Sequence, residues 1–124
     1  ARIDMLYNWL ISLDDPQEST TIINDKNFIK DMRKKFSDYA PDDGIAFIDA
    51  YIADNPAYWV YCDMINDSKR KVAEASSLNV VIDTVSHGLT TNQEPKDTPD
   101  QAHYDSLSEI KLGHLFIESI SQFL

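Results

Sequence analysis

Three glycines in 124 residues, at Gly44, Gly88 and Gly113, leave this chain few places for the tight turns that a sandwich or barrel of short strands requires. Its apolar residues instead recur at intervals of three and four, the period of an amphipathic helix. Together these features predict an all-α fold. The expectation is a compact bundle of five or six helices in a single domain over residues 1–124, with room for one short strand or hairpin.

The stripes are as follows. Ile3, Leu6, Trp9, Leu10 and Leu13 mark a first helix, closed by Asp14-Asp15-Pro16. Residues 14–24 read as loop, with Thr20–Ile23 offering a very short strand as the alternative. Phe28, Ile29, Met32, Phe36 and Tyr39 mark a second helix over about 25–39, capped by Asn24 or Asp25, with Lys26, Lys30, Arg33, Lys34 and Lys35 on its outer face. After the turn at Pro41-Asp42-Asp43-Gly44, a third helix over about 44–53 buries Ile45, Phe47, Ile48, Tyr51 and Ile52. A fourth opens with Asn55 as its cap and Pro56 in its first turn. It carries Trp59, Val60, Met64 and Ile65, and either runs on to Ala75 or breaks near Asn66-Asp67-Ser68.

Residues 78–89 fit two templates. Val80, Val81, Ile82 and Val85 are β-branched and suit a strand. Leu78, Val81, Ile82, Val85 and Leu89 also lie on one helical face that Gly88 would end, and the helix is preferred. Residues 90–102, polar and holding Pro95 and Pro99, form an exposed loop. Ser106-Leu107-Ser108-Glu109 has the form of a capping box and opens the last helix, which buries Leu107, Ile110, Leu112, Leu115, Phe116, Ile120 and Phe123.

Charge narrows the function. The net charge is −10, which disfavours direct contact with nucleic acid or an anionic membrane. It is concentrated: between Ser37 and Asp67 stand Asp38, Asp42, Asp43, Asp49, Asp54, Asp63 and Asp67, with no lysine or arginine. Aromatic rings are interleaved, among them Phe47, Tyr51, Tyr58, Trp59 and Tyr61. Clustered acids speed the encounter with a basic protein and aromatic anchors hold it. The partner-binding set is therefore the seven aspartates together with Tyr58 and Tyr61.

Chemistry-bearing motifs are few. His87, His103 and His114 match no metalloprotease-type spacing, and Asp42-Asp43-Gly44 lacks the ligand pattern of a calcium loop, so neither metal nor cofactor is expected. Cys62, the lone cysteine, reads as a buried structural thiol, and no internal disulfide is possible. With no signal-like or membrane-spanning run, a cytoplasmic location is expected. Asp105-Ser106-Leu107 resembles the attachment tripeptide of acyl carrier proteins, but those need further helices after the serine and only eighteen residues follow here. The chain is not expected to be an enzyme.

In size, acidity and helical character the chain resembles bacterial toxin-immunity proteins, including those of contact-dependent growth inhibition systems and nuclease bacteriocins. The resemblance implies occlusion: a small acidic protein covers the active site of a cognate basic toxin domain, for which a nuclease is the leading candidate. Carboxylates then stand in for nucleic-acid phosphates. The alternatives are a small acidic secretion chaperone or adaptor, and a phage-type DNA mimic.

Overall fold

The computed structural model describes residues 18–124; the expected first helix over Ile3–Leu13 and its closing turn lie outside them. The element order is α1 (Glu18–Lys35), a short 3-10 turn (Ser37–Tyr39), β1 (Phe47–Ala50), α2 (Cys62–Glu74), β2 (Asn79–Ile82) and α3 (Ser106–Ser121). β1 and β2 pair in parallel, Phe47 opposite Asn79 through Ala50 opposite Ile82, with α2 as the crossover. The described residues thus form a mixed α/β unit of three helices and a two-stranded parallel sheet, which overturns the expected all-α bundle.

The layers follow from side-chain alternation along the strands. Phe47 meets Phe28 of α1 edge to face, with ring centroids 6.4 Å apart. Asp49 pairs with Lys69 of α2 at 2.9 Å, and Asn79 donates to the Val72 carbonyl at 2.8 Å. These residues face α1 and α2. Ile48, Ala50, Val80 and Ile82 therefore face the other way, where α3 packs across both strands. Ile29, Ala53, Cys62, Val72 and Ile82 form the buried apolar core.

β1 was expected to be helical, and for β2 the helix was preferred over the strand that its β-branched residues also suit. A strand covered on both faces shows no alternation of apolar and polar residues, so its sequence is a continuous apolar run that also fits a helical template. Val80, Val81 and Ile82 are such a run; β1 contains Asp49, but Ile45, Phe47, Ile48, Tyr51 and Ile52 around it also fall on one helical face. Beyond β2 the chain turns at once: Asp83 Oδ1 accepts the N–H groups of Val85 and Ser86 at 3.1 and 3.0 Å. Gly88, at φ +68°, closes that turn and does not end a helix.

The helix ends also moved. α1 starts well before residue 25, so Thr20–Ile23 is helical and not a strand. Asn55 does not cap a helix, because its amide donates to the Gln101 carbonyl at 2.7 Å, and α2 begins only at Cys62. α2 then runs unbroken through Asn66-Asp67-Ser68. Asn66 exchanges two hydrogen bonds with the Ile52 backbone, and Ser68 donates back to the Met64 carbonyl. Polar residues that look like a break in sequence are here satisfied inside a helix. α3 begins where expected, but not by the expected box. Asp105 occupies the cap position, and the free Ser106 N–H donates to Glu94 at 2.9 Å. Leu107, Ile110 and Ile120, expected in the core, are exposed.

Arg33, expected on the outer face of α1, turns inward. Its guanidinium donates to the Ile45 carbonyl at 2.9 Å, to Asn79 Oδ1 at 2.7 Å and to the Leu78 carbonyl at 3.4 Å. Arg33→Met keeps the aliphatic stem and removes this fork. It is expected to lower the unfolding free energy by about 1–3 kcal/mol, seen as a lower urea midpoint at unchanged slope.

Asp25, half-buried on α1, has its carboxyl pushed up to about 6 by burial and by the charge of Asp49, against the opposing pull of Lys69. The folded state therefore binds this proton more tightly than the unfolded chain, whose carboxyl titrates near 3.8. The group's contribution to stability grows as pH falls from about 6 towards 4 and is absent above that window. Asp25→Asn is expected to raise the melting temperature at pH 7.5 and to flatten its pH dependence between 7 and 4. Equal melting curves for both proteins across that range would refute the assignment.

Candidate functional site

The carboxyl ends of β1 and β2 lie side by side, as they must in a parallel pair, and open α/β sheets place their ligand sites beyond that edge. The chain returns to this edge through residues 90–105. Tyr104 anchors the return: its hydroxyl donates to the Tyr51 carbonyl at 3.0 Å, just past β1, and contacts Thr84 Oγ1 at 2.8 Å, just past β2. Trp59 Nε1 donates to the Ala102 carbonyl at 2.9 Å, and Asn55 holds the carbonyl of Gln101. Gln101 itself sits at φ +64°, a left-handed conformation that side-chain-bearing residues seldom adopt. Asp105, buried, takes Thr90 Oγ1 at 2.6 Å and the N–H groups of Gln93 and Glu94. A loop read from sequence as merely exposed is thus tied down from both strands and from within.

What this framework holds out is a histidine on a carboxylate. Asp100 accepts the backbone N–H groups of Ala102 and His103 at 2.8 and 2.9 Å. It also meets His103 Nδ1 at 3.0 Å. The His103 ring and those two N–H groups hold the Asp100 carboxyl down at about 2, so it remains an anion across the physiological range. The turn alone does not require the ring. Asp83 makes the corresponding turn on Val85 and Ser86 with no imidazole. With Nδ1 engaged, Nε2 is the free nitrogen of a side chain 73% exposed. Trp59 stands edge-on to the imidazole, with centroids 6.5 Å apart. Asp100, His103, Glu94, Pro95 and Ser106 border an open cleft of about 490 Å³.

This pair was missed in the sequence, although the signal is there: Asp100-Gln101-Ala102-His103 puts a carboxylate three residues before a histidine in a proline-bounded loop. Among the described residues no hydroxyl or thiol hydrogen-bonds the His103 ring. Cys62 is buried, and its thiol is pushed up by burial and by the nearby charges of Asp63 and Asp54, so it stays protonated and donates to Asp54.

The residues expected to bind a partner do not form one face. Asp38, Asp42 and Asp43 precede β1 and Asp54 follows it, so the strand separates them to its two ends. Asp49 is paired with Lys69, and Asp67 with Arg70 and Lys71. Asp54 and Asp63 remain together, with the Cys62 sulfur and their carboxylates within 4.8 Å of one another. Around them Tyr58, Val60 and Tyr61 are exposed by 51, 72 and 37%.

No described helix is long and apolar enough to cross a membrane. No known family model matches the chain, and neither a curated protein nor a solved structure is significantly similar to it.

Proposed function

We propose that this chain carries the base half of a hydrolytic centre of the nucleophile–histidine–aspartate type, acting on an acyl bond. The observation behind this reading is the His103 ring held through Nδ1 by an ionised Asp100, on a loop pinned across the carboxyl ends of two parallel strands. Such an aspartate fixes the imidazole tautomer and stabilises the cation that forms when Nε2 takes a proton. A nucleophilic hydroxyl or thiol, supplied from outside the described contacts of His103, would lose its proton to Nε2 as it attacks the carbonyl carbon. The resulting imidazolium would return that proton to the leaving group as the acyl bond breaks. Water would then release the acyl group by the same two proton transfers. Asp100 keeps its charge throughout.

The test is hydrolysis of short-chain p-nitrophenyl esters by the purified protein beside Asp100→Asn and His103→Ala, together with the nitrogen shifts of the imidazoles. Each substitution is expected to lower kcat/KM by about 10²–10⁴-fold. His103 is expected to carry its neutral-form proton on Nδ1 and to lose that preference in Asp100→Asn. Turnover by the unaltered protein no greater than that of the variants would overturn the reading.

A second reading is favoured by the exposed Tyr58, Val60 and Tyr61 beside Asp54 and Asp63. It is the capture of a basic protein domain, as toxin-immunity proteins do, through this loop and not through the whole acidic segment. Asp54→Asn with Asp63→Asn is then expected to slow association with a basic partner recovered from lysate and to reduce its salt dependence. The same change at Asp42 and Asp43 is expected to have little effect. Association unchanged by the first pair would exclude this loop.

A further inference from the structure

We infer that the basic side of α1 carries a second site, for a small molecule bearing a phosphate group, at the opposite end of the sheet from His103. Lys26, Lys30 and Arg33 stand at i, i+4 and i+7, which aligns them on one face of α1. With Ser76 and Asn79, where the chain passes from α2 into β2, they border an open cleft of about 410 Å³. Small-molecule sites begin at roughly 300 Å³. Ile29, 4% exposed, and Ala75 complete the lining and offer apolar contact to the carbon body of a ligand.

Charge and free donors select the phosphate. Among the described residues that line the cleft there is no carboxylate, in a chain of net charge −10. Glu74, next to Ala75 in sequence, is drawn off by Arg70 at 2.6 Å. Lys26 and Lys30 are exposed, and among the described residues neither has an ion-pair partner. Arg33 is already fixed through Nε and Nη2 by Ile45, Leu78 and Asn79, which leaves Nη1 without an acceptor among the described residues. The Ser76 hydroxyl oxygen accepts the Leu78 N–H at 3.2 Å, and its own proton has no acceptor there. A held guanidinium, two ammonium groups on flexible stems and a hydroxyl donor suit the acceptor oxygens of a phosphate. The carboxyl end of α2 at Ala75 opposes an anion, but Asn79 Nδ2 already takes its Val72 carbonyl at 2.8 Å. The rest of the chain sets the size of the ligand. A polyanion extends past the cleft and meets the net negative charge, whereas a small anion feels chiefly the groups within a Debye length, about 8 Å at physiological salt.

Isothermal titration calorimetry of the full chain in about 150 mM sodium chloride tests this. Phenyl phosphate is expected to bind one-to-one with a Kd below about 1 mM, and several-fold more tightly than inorganic phosphate, which has no body to meet Ile29. Lys26→Gln with Lys30→Gln, both at exposed positions, is expected to weaken binding about ten-fold or more with an unchanged circular dichroism spectrum. Lys34→Gln with Lys35→Gln removes the same charge from the same helix outside the cleft, and is expected to change the Kd by less than about two-fold. No saturable binding, equal affinity for the two probes, or equal weakening by the two double variants would overturn the proposal. So would tighter binding of an oligothymidylate than of phenyl phosphate, which would assign the cleft to a polyanion.

Discussion

A two-stranded parallel sheet has little to hold it in register, since among the described residues each strand has one neighbour and the pairing is weaker per residue than in antiparallel sheets. Arg33 supplies the missing constraint at one end. One guanidinium on α1 reaches backbone just before β1, at Ile45, and the start of β2, at Leu78 and Asn79. A planar fork of fixed geometry suits this task better than a flexible ammonium. The other end is fixed by Asn66, whose amide acts like a strand partner to Ile52 from within α2. Between these two clamps, Lys69 binds both Asp49 and the Ala50 carbonyl. The carboxyl edge of the sheet is therefore a rigid platform, and the loop carrying Asp100 and His103 is built on it.

The last helix was legible in the sequence because α3 has a polar boundary, a periodic run and an end. α2 was legible as a helix but not in its limits. Asn55, Asn66 and Ser68 all have local roles that sequence spacing suggests, and all three have side chains committed elsewhere, to Gln101, Ile52 and Met64. β1 was not legible as a strand, and β2 only as the less favoured of two templates. Each has four residues, too few to separate a strand period from a helical one. Arg33 was hidden for a different reason: it sits in a row of lysines that do belong to a solvated face, and nothing local distinguishes the one cation that turns inward.

The candidate site was legible only as a spacing. Asp100-x-x-His103 occurs in plain view, but such a pair on a free loop would be an ordinary surface contact. Its significance depends on long-range bonds that no local pattern carries: Tyr104 to both strand ends, Trp59 and Asn55 to the Gln101–Ala102 backbone, Asp105 to Thr90. These tie the backbone on both sides of His103 to the sheet, while the ring itself is held by Asp100 and bordered by Trp59.

The acidity of the chain takes on a different meaning once several of its carboxylates are followed to their partners. Asp49 and Asp67 neutralise lysine and arginine on α2. Asp83 and Asp100 close turns on backbone N–H groups, and Asp105 organises the loop before α3. Asp83, Asp100 and Asp105 thus serve as side-chain acceptors in turns and loops of a chain that has few glycines. Net charge sums over all of these roles and distinguishes none of them. Asp100 combines two roles at once. It accepts the backbone bonds that any turn-forming aspartate accepts, and those bonds keep it ionised. It also meets the His103 imidazole through Nδ1. In the proposed reading it is this second contact, and not the acidity of the chain, that makes a structural turn the orienting half of a base.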